Sequence, residues 1–220
     1  MIARHLLAEE LIPLKTSNTG KEALNLMEEL KVSHLPIVNG DNFLGLISEQ
    51  DIYDLNNLEQ PLGNHKLSLN NPYVNEHQHL YDVLKLVSGL KLTVIPVLDD
   101  HEKYIGSIGM RNLVTFMANS FALENPGGII VLEMSENDYN LAEIAQIVQS
   151  NDAKVLSLFL ASYPESTKLE VALKLNKTEI SAVLQTFDRY GYYVKASFGE
   201  EENIESLKEN YDSLINYLNI

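Results

Sequence analysis

The chain repeats itself. Around Pro36 it reads SHLPIVNGDNFLGLISEQDIYDL, and around Pro96 it reads TVIPVLDDHEKYIGSIGMRNLVTF. Pro36 matches Pro96, Gly45 matches Gly106, and Asp51 matches Asn112. The offset grows by one between the proline and the glycine, and a single inserted residue in the second turn accounts for it. Upstream, Leu24 pairs with Leu84, Met27 with Val87 and Leu30 with Leu90. Two copies in register over such a stretch mean that the first half of the chain is one supersecondary unit used twice.

Each copy reads as helix, strand, turn, strand, helix. Residues 20–31 put Ala23, Leu24, Met27 and Leu30 on one helical face, and Leu80, Val83, Leu84, Val87 and Leu90 do the same in the second copy. LPIV and IPVL are short buried strands with a proline near the start, where a missing N–H costs little. Asn39–Asn42 and Asp99–Glu102 are turns, and FLGLIS and YIGSIG are the returning strands. Ser48 or Asp51 caps the helix that follows the first of these.

Charge limits what such a chain can bind. Sixteen Lys and Arg against 31 Asp and Glu leave a net charge of −15, spread over both halves. That surface repels phosphate backbones and anionic lipid, so neither nucleic acid nor a membrane is an expected partner. Unbroken apolar runs reach four residues, as at Ile129–Leu132, far short of the ~20 that span a bilayer. The N-terminal MIARHLLAEELIP lacks the apolar core of a secretory signal. With no cysteine there is no disulfide, thiolate metal site or cysteine nucleophile. A cytoplasmic location is expected.

The repeated pattern, apolar-Pro-apolar-Val, a turn, then Gly-apolar-Ile-Ser-x-x-Asp, resembles the CBS domain. A tandem pair of these, repeats of about 1–60 and 61–123, packs into one module, often called a Bateman module. The resemblance implies a cleft between the repeats that takes an adenine nucleotide: AMP, ADP, ATP or another adenosyl ligand, with no cofactor required. It implies that the serine after the glycine strand holds a phosphate, helped by the N-terminus of the next helix, and that the aspartate accepts hydrogen bonds from ribose hydroxyls. The first repeat keeps both residues, Ser48 and Asp51 in GLISEQD. The second reads GSIGMRN, with Gly109 in place of the hydroxyl and Asn112 in place of the carboxylate. One ligand per pair is therefore expected, at Ser48 and Asp51, with Leu14 and Leu35 as apolar walls for the base. Beside that stands a plainer reading, in which Ser48 is a helix cap and Asp51 a first-turn carboxylate favoured by the helix dipole.

Other chemistry-bearing residues are sparse. His77-Gln78-His79 could present two imidazoles on one side of the chain, but no third ligand is evident, so they read as loop histidines and no metal site is expected. His34, beside the strand proline, either lines the cleft or packs. Ser135–Asp138 reads as a turn. Nucleophile, base and orienting group are nowhere visible together, so no catalytic residue and no enzyme activity are expected.

The second half is a different domain. Asn125-Pro126-Gly127-Gly128 is a strong breaker, and the boundary is expected near 119–126. Ile129–Met134 reads as a strand, Leu141–Val148 as a helix, Lys154–Ser162 and Thr167–Leu175 as strands around a turn at 163–166. Thr178 is expected to cap a helix carrying Ile180, Val183, Leu184 and Phe187, Gly191 to end it, and Tyr192–Phe198 to be the last strand. The order βαββαβ gives an α+β, ferredoxin-like unit. Pro126-Gly127-Gly128 leading into the first strand resembles the ACT domain, over about 126–199, and a CBS pair followed by an ACT-like domain is similar to acetoin-utilisation-type regulatory proteins. SENDYN stands where that family's glycine-rich effector loop would be. In the tail, 200–220, Ile204, Leu207, Tyr211, Leu214 and Leu218 form the apolar stripe of an acidic helix.

The sequence thus points to a regulatory homodimer that senses an adenosyl ligand without catalysing a reaction. The alternative is an interaction protein whose CBS pair serves only as a dimerisation platform.

Overall fold

A computed structural model of the chain describes residues 1–65, 70–162 and 167–199. The expected turn at 163–166 and the expected helix over 200–220 lie outside the described residues. The chain divides into two compact units, Met1–Phe116 and Met117–Ile220.

The first unit carries the repeat. α1 (Gly20–Leu30), β1 (His34–Asn39), β2 (Asn42–Ser48) and α2 (Glu49–Tyr53) form one copy. After β3 (Val74–Asn75), the elements α3 (Leu80–Leu90), β4 (Val94–Leu98), β5 (Tyr104–Gly109) and α4 (Met110–Ser120) form the other. β1 pairs with β2, and β4 with β5, both antiparallel. A further segment runs parallel to each pair: Leu14 against Ile37, and Val74 against Val97. Pro36 C=O accepts from Leu14 N–H, and Leu14 C=O from Val38 N–H, both at 2.8 Å. The proline nitrogen therefore faces the Leu14 side and takes no bond from the β1–β2 ladder.

The duplication extends to backbone detail. Gly45 (φ +152°) and Gly106 (φ +149°) sit where the register of each hairpin shifts, leaving Leu44 and Ile105 as the extra residues of matching β-bulges. Helices α1 and α3 both end on a left-handed lysine, Lys31 (φ 56°) and Lys91 (φ 54°). Val32 N–H then reaches back to Met27 C=O, and Leu92 N–H to Val87 C=O, closing each C-terminus in the same way. Thr19 opens α1 with a capping box completed by Glu22.

Most of the expected apolar faces are buried. Ala23, Met27, Val83 and Val87 join the two repeat cores, but Leu90 is 53% exposed while its counterpart Leu30 packs against buried residues.

The second unit orders its elements β6 (Ile129–Ser135), α5 (Leu141–Ser150), β7 (Val155–Ser162), β8 (Lys168–Leu175), α6 (Ser181–Arg189) and β9 (Tyr193–Phe198). The antiparallel sheet runs β7-β8-β6-β9. Its core joins Ile130 and Leu132 of β6 and Val171 and Leu173 of β8 to Ile144, Val148 and Phe187 of the helices. Gly127 is required by its surroundings, since a Cβ there would lie 1.8 Å from Leu175 O. One expectation shifts. Thr178 does not cap α6: the helix begins at Ser181 with buried Ile180 at the cap position, and Glu179 accepts from Ser181 N–H at 2.8 Å. The turn expected at Ser135–Asp138 is present as a short 3₁₀ element over Glu136–Asp138, with Ser135 Oγ donating to Asp138 Oδ2 at 2.7 Å. Tyr192 donates to Glu143 Oε2 at 2.7 Å; burial first, then this carboxylate, push its hydroxyl up to about 12.

Candidate functional site

β2 delivers Ser48 to the start of α2, where its extended backbone makes it the N-cap. Ser48 Oγ accepts from Asp51 N–H at 3.1 Å and donates to Asp51 Oδ2 at 2.6 Å, and Ser48 N–H donates to the same Oδ2 at 2.8 Å. The two motif residues are thus brought together, but as a reciprocal cap on each other. Asp51 Oδ2 is committed to the cap, so Oδ1 is the oxygen open to further donors. The helix they start has five residues, with Glu49 and Asp51 among them, so its dipole is short and its first turn already acidic. The expected help to a phosphate from this helix is correspondingly weak.

Ser48 and Asp51 line a cleft of about 550 Å³, within the range of small-molecule sites. His34 and Leu46 share their wall. Leu86, Leu90 and Leu92 of the second repeat form the apolar side, and Asn70, Asn71 and Pro72 the third side. The exposure of Leu90 follows from its place here. Leu14 and Leu35, expected as walls for the base, are elsewhere: they are 1% and 0% exposed in the core of the first repeat. Leu35 alternates along β1 with His34, which does face the cleft, and a purely positional assignment cannot separate the two faces of a strand.

His34 ties the repeats together. Thr93, the counterpart of Ser33, receives Ser33 N–H on Oγ1 at 3.0 Å. Its hydroxyl lies 3.1 Å from His34 Nδ1, and its N–H donates to the same nitrogen at 3.4 Å. Nδ1 is therefore the acceptor and Nε2 carries the proton. Burial holds the imidazole below its ordinary range, against a smaller upward pull from Asp51.

The equivalent place in the second repeat is filled. Leu11 is 7% exposed and clusters with Ala8 and Val94, against Leu30 and Val32. A Cβ at Gly109 would meet Leu11 Cδ1 and Asn112 Oδ1 at 3.1 Å each, leaving a hydroxyl no room without movement. Asn112 Nδ2 reaches Glu10 Oε1 at 3.5 Å. The wall residues at 70–72 and at 86–92 lie outside the motif. A position-by-position comparison of the two repeats contains the signal, since Leu11 becomes Asn71 and Val94 corresponds to His34.

Two copies of one helix–strand–strand–helix unit, with one cleft open and its counterpart closed, define a duplicated α+β module whose halves have diverged. Residues 3–56 and 67–119 each match the CBS domain family, and the chain carries a tandem pair of CBS domains. An inosine-5′-monophosphate dehydrogenase of Methanocaldococcus jannaschii is 24% identical over 113 residues, 51% of this chain and 23% of the dehydrogenase. The chain spans 23% and 38% of the length of two curated relatives it matches, this dehydrogenase and a second protein of the same organism. Among solved structures, a CBS domain pair/ACT domain protein of Thermotoga maritima is similar with a TM-score of 0.48 at 20% identity, covering 54% of this chain and 98% of that one. AcuB, an acetoin utilization protein from Vibrio cholerae, gives a TM-score of 0.48 at 23% identity, covering 56% and 95%. Among the described residues no helix is long and apolar enough to cross a membrane.

Proposed function

We propose that the chain is a non-catalytic regulatory protein that senses an adenosyl ligand in the cleft beside Ser48 and Asp51. The observation that carries this reading is the asymmetry of the pair. The repeat that keeps the Ser-x-x-Asp motif also keeps an open cleft of about 550 Å³, and the repeat that lost the motif has Leu11 in its place. In this reading Asp51 Oδ1 accepts from the ribose hydroxyls and Leu86, Leu90 and Leu92 cover the base. AMP, ADP and ATP are the nucleotides to test, beside adenosine itself. Because Asp51 lines the cleft and the first turn of α2 carries Glu49 as a second carboxylate, AMP and adenosine should bind better than ATP.

The rest of the reading follows the sequence. Residues 1–123 are the CBS pair and 126–199 an ACT-like domain that transmits or receives the ligand's effect, supported by the βαββαβ order. A ligand shifts such an arrangement only by binding one state more tightly than the other. A homodimer is supported by Met110 and Val114, four apart on α4 and 43% and 59% exposed. A cytoplasmic location fits the absence of cysteine and the charge of −15.

Thermal melts of the full chain with each compound test the proposal. A ligand that binds only the native state adds about 2.7 kcal/mol at a hundred times its dissociation constant. A melt unmoved by all four compounds would favour the second reading, a dimerisation platform without a small ligand. One observation favours that alternative: Ser48 and Asp51 already satisfy each other.

A further inference from the structure

We propose that Glu76, His77 and Asp100 form a binding site for one divalent transition-metal ion of the Zn²⁺ type, apart from the cleft. β3 and β4 run parallel with Asn75 opposite Leu98, and Glu76 N–H donates to Leu98 C=O at 2.9 Å. The chain therefore leaves both strands side by side, placing Glu76 and His77 next to Asp100 in the β4–β5 turn. His77 Nε2 lies 3.4 Å from Asp100 Oδ2 and 3.9 Å from Glu76 Oε1, and the three donor atoms lie within 4.8 Å of one another. Donors around a tetrahedral zinc ion stand about 3.4 Å apart. Small side-chain rotations close the set, and water completes the coordination.

Both carboxylates are held so that the remaining oxygen faces the imidazole. Arg4 takes Glu76 Oε2 at 2.6 Å, and Asn75 Nδ2 takes Asp100 Oδ1 at 3.1 Å. Partners of this kind orient ligands at metal sites. The Glu76 side chain is only 8% exposed, while those of His77 and Asp100 are 58% and 63% exposed and leave an approach for the ion. The fold itself does not call for this set. At the same places the first repeat has Thr16, Ser17 and Gly40, and it builds the same hairpin and turn. The cluster sets the carboxylates of Glu76 and Asp100 against the guanidinium of Arg4, an imbalance that a divalent cation offsets. His79 is not part of it: its Nδ1 accepts from Tyr81 N–H at 3.3 Å, capping α3.

Calorimetric titration of the metal-free full chain with Zn²⁺, Co²⁺ and Mg²⁺ tests the site. One equivalent of Zn²⁺ should bind, with a Co²⁺ visible spectrum to match, and Mg²⁺ should bind far more weakly. His77→Ala and Asp100→Asn should each weaken Zn²⁺ by at least about tenfold, while His79→Asn binds as the parent does. Circular dichroism of the metal-free variants checks that both remain folded, as their exposed side chains lead one to expect. No Zn²⁺ binding by the parent, undiminished binding by His77→Ala, or an equal loss in His79→Asn would each overturn the proposal.

Discussion

Leu11 and Asn71 occupy the same position of the duplicated unit, one in each copy, and they separate a filled half from an open one. Each lies just before the segment that bridges its own strand pair, Leu14 on Ile37 and Val74 on Val97. The leucine packs against Leu30 and Val32; the asparagine lines the cleft together with Leu90 and Leu92. Leu11→Ala should therefore cost about 2–4 kcal/mol in denaturant unfolding. It should leave affinity at Asp51 unchanged. A loss below about 0.5 kcal/mol would mean that Leu11 is not a plug.

Asp51 and Asn112 should respond differently to truncation. In the proposed cleft, Asp51→Ala should weaken adenosine or AMP by about 1.5–3 kcal/mol, the range for a hydrogen bond to a charged group. Asn112→Ala should change binding little, since its neighbourhood is already closed. The same Asp51→Ala chain loses its capping box, so stability should also fall by about 0.5–2 kcal/mol. Calorimetry giving equal binding losses for both variants would contradict the assignment.

His34 makes the first unit sensitive to acid. Its folded pKa lies below the ordinary 6.5, so the unfolded chain binds the proton more readily. Protonation would set an N–H against the Thr93 N–H and hydroxyl. The contribution to stability is therefore complete above about pH 6.5 and is lost as pH falls below it toward the folded value. Melts of the parent and of His34→Gln between about pH 7.5 and pH 5.5 should show the parent losing more. Parallel decline of the two would remove His34 as the cause.

Much of this architecture is legible in the sequence because duplication leaves a paired signal. Pro36 with Pro96 and Gly45 with Gly106 mark the paired strands, although the bulges at the two glycines belong to the folded hairpins and not to the pattern. The cap at Ser48 is legible for a local reason, being a matter of hydrogen-bonding side chains within one helical turn. The cleft walls are not. Whether Leu35 or His34 faces the ligand depends on which side of β1 meets the other repeat. Leu90 departs from Leu30 only because the residue available to cover it is Asn71, where Leu30 has Leu11. The start of α6 differs from the expected cap at Thr178 because Ile180 is held by the core, and burial at a cap position overrides side-chain preference. The Glu76, His77 and Asp100 cluster is a product of β3–β4 pairing between distant parts of the chain, which no local motif records.

The division into units bears on where the chain can be cut. It falls between Phe116 and Met117, inside α4, while the sequence breaker is at 125–128. Leu113 and Phe116 belong to the core of the second repeat, so a first fragment must keep α4 and should run to residue 123. The end of that helix also matters to the other unit. Ser157 Oγ donates to Phe121 C=O at 2.9 Å, and the Phe121 and Phe159 rings stand 6.2 Å apart. A fragment of 126–220 loses both contacts; one of 117–220 keeps them. Each unit has an apolar core of its own, so 1–123 and 117–220 should both be soluble and melt cooperatively. Starting at 126 should lower stability by about 1–2 kcal/mol relative to starting at 117, the combined scale of one hydrogen bond and one ring contact. Urea unfolding of the three fragments checks this. Equal midpoints for the two later fragments would mean that Phe121 contributes nothing, and a first fragment without a cooperative transition would mean that the CBS pair does not fold alone.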